Sequence, residues 1–221
     1  MRLLDLFCGA GGAAMGYHRA GFTNIVGVDN RSQKRYPFTF VQADALEYLA
    51  EHGGEFDVIH ASPPCQAYSR LRHLPWLSGR EYPRLIERTR SLLIASSKPY
   101  VIENVVDAPL DGNSLCGAAL GLHISRHRRF ETSVFILFPG CPGHETIFSG
   151  NATISKRYRG HGITGVLKEI DRRSVAGHFA GVERARKALG IDWMTRDELS
   201  QAIPPAYTEF IGRQLLAVLG P

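Results

Sequence analysis

The sequence has few cysteines and no long hydrophobic run. Its 221 residues include four cysteines, Cys8, Cys65, Cys116 and Cys141, which lack the spacing of a disulfide framework. Free thiols in a reducing compartment fit this pattern better than disulfides. The chain has no apolar run of about 18 residues, and Asp5 interrupts its apolar start. Both features argue against a membrane span and a signal peptide, so we expect a cytoplasmic protein.

Internal repeats and low-complexity tracts are also lacking. Hydrophobic residues make up 44% of the chain and charged residues 21%, which is ordinary for a globular protein with a real core. A chain of this length fits one substantial domain with room for a small appendage.

Acidic residues are outnumbered, and the positive excess is uneven. Lys and Arg exceed Asp and Glu by 26 − 21 = 5. Residues 151–187 hold nine basic residues against three acids, and residues 66–90 hold six arginines against two acids. A charged run is usually a solvated surface. Two basic segments, one of them directly after Cys65, nevertheless favour a nucleic-acid partner.

The stretch 57–72 is the most informative part of the sequence. It continues a predicted strand, Phe56–Ser62, which two prolines end by removing backbone donors and fixing φ. A cysteine is usually a small buried hydrophobe, but Cys65 follows this rigid exit and precedes a polar loop. That loop contains Gln66, Ser69, Arg70 and Arg72. Because guanidinium charge favours the thiolate, the pattern predicts a nucleophile.

A glycine-rich turn follows the first predicted strand, Arg2–Phe7. Three glycines, Gly9, Gly11 and Gly12, allow the backbone to approach a ligand at the start of a predicted helix, Ala13–Ala20. The next predicted strand, Asn24–Asp29, ends in an acid that is placed to bond ribose hydroxyls. The alternative is a structural turn with a helix-capping Asp.

Two more predicted strands carry acids. Thr39–Ala43 precedes Asp44, which could accept from an adenine amino group, and Pro99–Val106 contains Glu103 among apolar neighbours. Burial should raise the pKa of Glu103, which suits a group that holds a proton near neutrality. A helix cap or a salt-bridge partner is the alternative for this residue.

The order of elements predicts an α/β fold with a doubly wound, mostly parallel sheet and a ligand crevice at its carboxyl edge. The other predicted elements are helices Ala45–His52, Arg84–Ser97 with Pro83 as its first residue, Val182–Leu189 and Pro204–Leu219, a short helix and turn at 113–122, and a strand Phe130–Phe138.

The chain changes character after Pro139, where Gly, Pro, Ser and Thr become frequent. We interpret residues 138–184 as a small, irregular basic lobe between two parts of a catalytic domain, 1–137 and 185–221. Cys141-Pro-Gly-His144 has the form of half a zinc site. No second Cys/His pair of suitable spacing follows it, so the sequence predicts no metal.

Five segments together resemble the cytosine-C5 DNA methyltransferase family, in family order over most of the chain. The resemblance implies a Rossmann-like enzyme that uses S-adenosylmethionine, with a shortened target-recognition region. It also implies a monomer that acts on double-stranded DNA in a prokaryotic or phage-infected cell. The segments are DLFCGAGG (5–12, cofactor), SPPCQ (62–66, catalytic), ENV (103–105, proton-handling), RHR (126–128, paired arginines) and QAIPPAYTEFIG (201–212, closing motif).

The resemblance also implies roles for single residues. Cys65 would attack cytosine C6, while Glu103, Arg126 and Arg128 hold a cytosine that has left the helix. The implied cofactor contacts are Phe7, Gly9, Gly11, Gly12, Asp29, Asn30, Asp44, Ala45, Pro64, Gln201 and Ile203. The expected substrate contacts are Gln66, Ser69 and Arg70 in the loop after Cys65, and Lys156, Arg157 and Arg159 in the lobe.

The chain departs from the family pattern in residue identity and in length. Asp29 stands where the family usually has Glu, Ile124 where it usually has Gln, and Ser200-Gln201 where it usually has Gly-Asn. Only some 55 residues separate Phe130 from the stretch Ala185–Met194. Family members place a much longer target-recognition region there, so we expect a short or degenerate target.

Rival functions explain less of the sequence. The motif of an amino-group methyltransferase ends in Pro-Pro-aromatic, and Cys65 replaces that aromatic residue. A nicotinamide dehydrogenase accounts for the glycines but leaves SPPCQ and ENV unexplained. Intact Cys65, Glu103 and Arg128 argue against a decayed nucleic-acid-binding protein. RNA stays open as a substrate, because an RNA-modifying branch shares the same motifs.

Overall fold

The computed structural model describes residues 1–69, 79–122, 124, 126–142 and 181–220. These residues form a seven-stranded sheet with helices on both faces. The strands are β1 (Arg2–Leu6), β2 (Asn24–Asp29), β3 (Thr39–Gln42), β4 (Val58–Ala61), β5 (Tyr100–Asn104), β6 (Asn113–Cys116) and β7 (His127–Thr132). The helices are α1 (Gly12–Ala20), α2 (Ala45–His52), α3 (Ile86–Ser96), α4 (Val182–Leu189), α5 (Arg196–Gln201) and α6 (Pro205–Leu219), with 3₁₀ turns at Gly53–Glu55 and Gly117–Leu120.

The strand order is β3-β2-β1-β4-β5-β7-β6. Strands β1 to β5 are parallel, whereas β7 runs antiparallel to both β5 and β6. The order reverses between β1 and β4, and a doubly wound sheet binds its ligands at the carboxyl edge next to such a reversal. The predicted mostly parallel α/β sheet is confirmed.

The core forms on both faces of the sheet because successive strand residues point in opposite directions. Leu3 and Val101 pack with α1 and α6, while Leu4 and Ile102 pack with α2 and α3. The α1 face also carries three buried ionisable residues at neighbouring strands, namely Asp5, His60 and Glu103.

Several predicted elements differ from the structure. The helix predicted from Pro83 begins at Ile86, the first of these side chains to be buried in the core. Residues 113–116, predicted to be helical, form β6, because backbone pairing with β7 outweighs the local preference. The strand predicted at Phe130–Phe138 is β7, which ends at Thr132 where its pairing with β5 ends. The apolar residues beyond it include Phe135, which is 82% exposed.

Most of the predicted lobe, 138–184, lies outside the described residues and stays a prediction. Of its first residues, Phe138 stacks on Phe130 with 6.2 Å between ring centroids. Within the described part of the chain, no helix is long and apolar enough to cross a membrane.

Candidate active site

The loop after β4 is fixed by its neighbours in the sheet. Asn104 Nδ2 donates a buried hydrogen bond of 2.8 Å to the Pro63 carbonyl and so ties this loop to the end of β5. Ser62 N–H donates to the Leu6 carbonyl at the end of β1. The Cys65 carbonyl then accepts the Tyr68 and Ser69 N–H groups, so a backbone turn begins at Cys65. The segment between β4 and Cys65 is therefore hydrogen-bonded to the ends of both neighbouring strands, β1 and β5.

Glu103 and two arginines surround the space next to Cys65. Because β7 is antiparallel to β5, its first residues lie at the same edge as the end of β5. Arg128 Nε lies 2.9 Å from Glu103 Oε1, and both side chains are largely buried. Their alignment does not make a hydrogen bond, so Glu103 Oε1 is buried without a hydrogen-bond donor among the described residues.

Arg126 is held from the opposite side. Its Nη2 donates to the Ser200 carbonyl at 3.0 Å, and Tyr207 Oη donates to the Arg126 carbonyl. Burial and, to a smaller extent, the neighbouring Arg128 lower the pKa of Arg126 to about 9. The closing segment, which supplies Ser200 and Tyr207, therefore positions Arg126 at the site.

Burial sets the protonation of both reactive groups. It raises the pKa of Glu103 against the opposing effects of Arg128, Arg126 and a hydrogen bond from Ser62, which confirms the predicted direction. It also raises the pKa of Cys65, against Arg128 and Arg126. The two guanidinium groups favour the thiolate, as predicted for guanidinium charge, but burial has the larger effect on the pKa of Cys65. Arg70 and Arg72 lie outside the described residues.

The two titrations are linked. The charge of Glu103 raises the pKa of Cys65. A neutral Glu103 no longer exerts this effect, while the two arginines still favour the thiolate. Protonation of Glu103 and deprotonation of Cys65 therefore promote one another.

A row of hydrogen-bonded side chains, Tyr17, His60 and Ser62, leads to Glu103, and sequence reasoning did not predict it. Tyr17 Oη lies 3.0 Å from His60 Nδ1, and His60 Nε2 lies 2.8 Å from Ser62 Oγ. Ser62 bonds in turn to Glu103. Burial lowers the pKa of His60 to about 3, so its ring is neutral. A Ser62 hydroxyl that donates to the carboxylate accepts from His60 Nε2–H, which assigns the Tyr17 hydroxyl as donor to Nδ1.

The glycine loop lies at the ends of β1 and β2. Phe7, at the end of β1, has a φ of 57°, a strained value of the kind that clusters at ligand sites. The Asp29 carboxylate accepts from Gly9 N–H at 3.1 Å and from Arg31 N–H at 2.9 Å. A Cβ at Gly9 would meet no described atom within 4 Å, so the loop borders open space. The loop therefore leaves room for a ligand at the carboxyl edge of the sheet.

The back of the loop needs glycine because the closing segment approaches it. A Cβ at Gly12 would lie 2.4 Å from the Ile203 carbonyl oxygen. Trp193 Nε1 donates to the Ala10 carbonyl at 2.8 Å. The structure thus brings together Ile203 and the glycine loop, which are distant in sequence.

The other predicted cofactor residues lie at or near the carboxyl edge. Asp44 caps α2, with its Oδ1 accepting from Leu46 N–H and Glu47 N–H, so at least part of its role is structural. Asn30 is exposed beside Asp29, Gln201 is exposed at the end of α5, and Ala45 is buried in the first turn of α2. Pro64 is half-buried next to Cys65.

The predicted substrate contacts are only partly described. Gln66 is exposed and Ser69 half-buried in the turn after Cys65. Arg70, Lys156, Arg157 and Arg159 lie outside the described residues.

Comparison with known proteins agrees with this geometry. Residues 1–107 match the family described as C-5 cytosine-specific DNA methylase. These residues are just under half of the chain, and over them the chain is similar to the cytosine-C5 DNA methyltransferase family. The match ends just beyond Glu103, so the family model includes Cys65 and Glu103 but not the arginines of β7.

Three bacterial type II methyltransferases are similar to parts of the chain. M.FnuDI of Fusobacterium nucleatum is 32% identical over 111 residues, which are 48% of this chain and 32% of that protein. M.AgeI of Thalassovita gelatinovora is 31% identical over 84 residues, 31% of this chain and 20% of that protein. M.AquIA of Picosynechococcus is 29% identical over 119 residues, 47% of this chain and 48% of that protein. The chain thus aligns with less than half of each relative's length.

A solved structure extends the likeness in fold to the whole chain. It is a prophage-encoded E. coli chain described as a DNA modification methyltransferase, with a TM-score of 0.61 and 14% identity over 99% of both chains. The fold of the chain is therefore Rossmann-like and methyltransferase-type.

Proposed function

We propose that the chain is a DNA (cytosine-5-)-methyltransferase that uses S-adenosylmethionine and a covalent Cys65 adduct. The convergence of Cys65, Glu103, Arg126 and Arg128 at one edge of the sheet carries this proposal. A thiol, a buried carboxyl of raised pKa and two guanidinium groups are the chemistry that nucleophilic addition to cytosine requires.

The first step forms the bond between cytosine C6 and the Cys65 Sγ thiolate, whose proton is lost to solvent. The electron pair of the C5–C6 double bond moves towards N3 and O2, where negative charge develops. Glu103 protonates N3, and Arg128 stabilises the charge at O2. The ion pair between Arg128 and Glu103 lacks the alignment of a hydrogen bond. A cytosine that enters between the two side chains would replace this contact with a hydrogen bond to each of them.

The second step completes the exchange at C5. S-adenosylmethionine, when bound, supplies the electrophilic methyl group that C5 accepts. A base then removes the C5 proton, the Cys65–C6 bond breaks, and N3 returns its proton to Glu103. The glycine loop, Asp29 and Ile203 would hold the cofactor beside the Cys65 loop, and the loop after Cys65 would cover the flipped base.

A mechanism-based trap tests the proposal. A duplex whose cytosines are all 5-fluorocytosine needs no knowledge of the target sequence, and fluorine at C5 cannot leave as a proton. With S-adenosylmethionine present, the wild-type protein should form an adduct that survives a denaturing gel. Cys65→Ser should form none, because the hydroxyl is a far weaker nucleophile.

Cys8→Ser is the matched control, since Cys8 is a buried thiol that directly precedes the glycine turn. It should form the adduct as the wild type does. An adduct with Cys65→Ser would place the nucleophile elsewhere. Trapping on 5-fluorocytosine RNA but not on DNA would overturn the assignment of DNA as substrate.

A further inference from the structure

Three ligand side chains meet away from Cys65. Cys116 ends β6, His127 begins β7, and the two residues pair directly across the antiparallel ladder. Cys141 completes the group, and one ligand atom from each of the three residues lies within 4.8 Å of the others. Cys116 is buried, His127 half-buried and Cys141 exposed.

The chain between Thr132 and Cys141 is anchored so that it returns to the start of β7. Leu137 N–H donates to Gln214 Oε1 on α6 at 2.9 Å, and Gln214 Nε2 donates to the Leu137 carbonyl at 3.2 Å. Phe138 then stacks on Phe130. These contacts position the segment that leads to Cys141. The packing of the fold therefore brings Cys141 next to Cys116 and His127.

The two sulfur donors and one nitrogen donor of this cluster favour zinc over other common metal ions. Two thiols and an imidazole suit zinc, whereas magnesium and calcium prefer oxygen. Around tetrahedral zinc, ligand atoms at about 2.0–2.3 Å from the metal lie roughly 3.3–3.8 Å from one another. The ligand atoms of this cluster lie within 4.8 Å of one another, so zinc binding would bring each pair closer by about 1.5 Å at most. The backbone N–H groups of Ala118 and Ala119 donate to the Cys116 sulfur. Such donors orient and stabilise a thiolate ligand.

We propose that Cys116, His127 and Cys141 bind one zinc ion. Structural zinc takes four ligands. The sequence offers His144, three residues after Cys141, but His144 lies outside the described residues. No second Cys/His pair follows Cys141 in the sequence, because its partners, Cys116 and His127, precede it and come together only when β6 pairs with β7.

The site stabilises β7, the strand that contains Arg128 and directly follows Arg126. Neighbouring strand residues point to opposite sides, so His127 binds the metal on one side of β7 while Arg128 contacts Glu103 on the other. Zinc would fasten the segment after β7 to the β6–β7 pair without entering the space beside Cys65. Its role is structural.

Metal analysis tests the site independently of methyl transfer. The purified wild-type chain should contain about one zinc per molecule by elemental mass spectrometry, in the manner of a structural site. Cys141→Ser should lose the zinc. Because Cys141 is exposed, this variant should still fold, which circular dichroism checks. Cys8→Ser, a buried thiol elsewhere, should keep the metal.

Cobalt substitution tests the ligand set. Wild-type protein with Co²⁺ in place of zinc should show thiolate-to-metal charge transfer and the strong visible bands of tetrahedral coordination, and Cys116→Ser should weaken the charge-transfer band. Wild-type protein without metal after reconstitution with zinc would overturn the proposal. Equal zinc content in the wild type and Cys141→Ser would do so too, as would a Cys116–Cys141 disulfide that persists with zinc present.

Discussion

Ser62 Oγ lies 2.8 Å from His60 Nε2 and also bonds the Glu103 carboxylate. Because the hydroxyl donates to the proposed proton-handling group, it accepts the Nε2–H of the neutral imidazole, which holds it in place. This bond lowers the pKa of Glu103, against the larger effect of burial. Ser62 therefore helps to set the pH at which Glu103 loses its proton.

Ser62→Ala should shift the high-pH limb of the methylation profile. Removal of the hydrogen bond destabilises the carboxylate, so the pKa of Glu103 rises and the protonated form persists to higher pH. Activity that needs protonated Glu103 should then decline at higher pH than in the wild type. The measurement is kcat/KM against pH.

Ser91→Ala is the control for this profile. Its hydroxyl bonds the Glu87 carbonyl on the exposed side of α3, away from the site. Its pH profile should match that of the wild type. A Ser62→Ala limb that stayed in place or moved to lower pH would contradict the proposed link between Ser62 and Glu103.

Much of the sheet and the edge that carries Cys65 could be predicted because their signals are local. β2, α2 and α4 begin and end at the predicted residues. Apolar periodicity and turn residues define such elements without knowledge of the rest of the chain. β6 could not be predicted, since its backbone bonds come from β7.

The supporting parts of the site depend on contacts that a single sequence does not display. In the sequence, His60 is one polar residue in an apolar strand, and only the structure shows its contacts with Tyr17 and Ser62. In the same way, the sequence places Asn104 at a strand end but does not show its hydrogen bond to the Pro63 carbonyl. The pKa of Glu103 was predictable in direction because burial depends on local apolar context, whereas the Cys65 pKa depends on the balance of burial and distant arginines.

Gly12→Ala should destabilise the fold and weaken S-adenosylmethionine binding. The added Cβ would lie 2.4 Å from the Ile203 carbonyl oxygen, so either the glycine loop or the closing segment must move. Overpacking of this kind costs about 1–3 kcal/mol. Denaturant unfolding and calorimetric titration with S-adenosylmethionine measure the two effects.

Gly54→Ala is the matched control, since a Cβ there meets nothing within 4 Å. Its free energy of unfolding should stay within about 0.5 kcal/mol of the wild type. Equal stability and affinity in Gly12→Ala would show that Ile203 does not contact the loop in solution.

Lys156, Arg157 and Arg159 form a basic group in the predicted lobe, so their joint replacement by alanine should weaken DNA binding. Phosphate contacts carry no sequence information, and each contributes about 0.9 to the slope of log affinity against log salt. The triple variant should therefore lose affinity for all sequences about equally and show a flatter slope. Fluorescence anisotropy at several salt concentrations measures both.

Arg213→Ala, which removes an exposed arginine on α6, should leave that slope unchanged. With so short a lobe, and with each bidentate base contact worth about 1–3 kcal/mol, we expect a target of roughly two to four base pairs. Loss confined to one sequence in the triple variant would mean that these residues read bases.

Asp5→Asn should change how stability depends on pH. Asp5 is fully buried on β1, and burial raises its pKa well above the usual value despite a hydrogen bond from Tyr36. The wild-type fold must therefore keep a proton that the unfolded chain releases above pH of about 4. Its stability declines as the pH rises from there to the folded pKa, by about 1.4 kcal/mol per pH unit for this one group. Asparagine has no proton to lose, so the free energy of unfolding of Asp5→Asn minus that of the wild type should increase over this range.

Tyr36→Phe, which removes the hydroxyl but keeps the carboxyl, should retain the wild-type decline. Denaturant titrations from pH 5 upward measure the difference, and a constant difference would show that Asp5 is ionised in the folded protein.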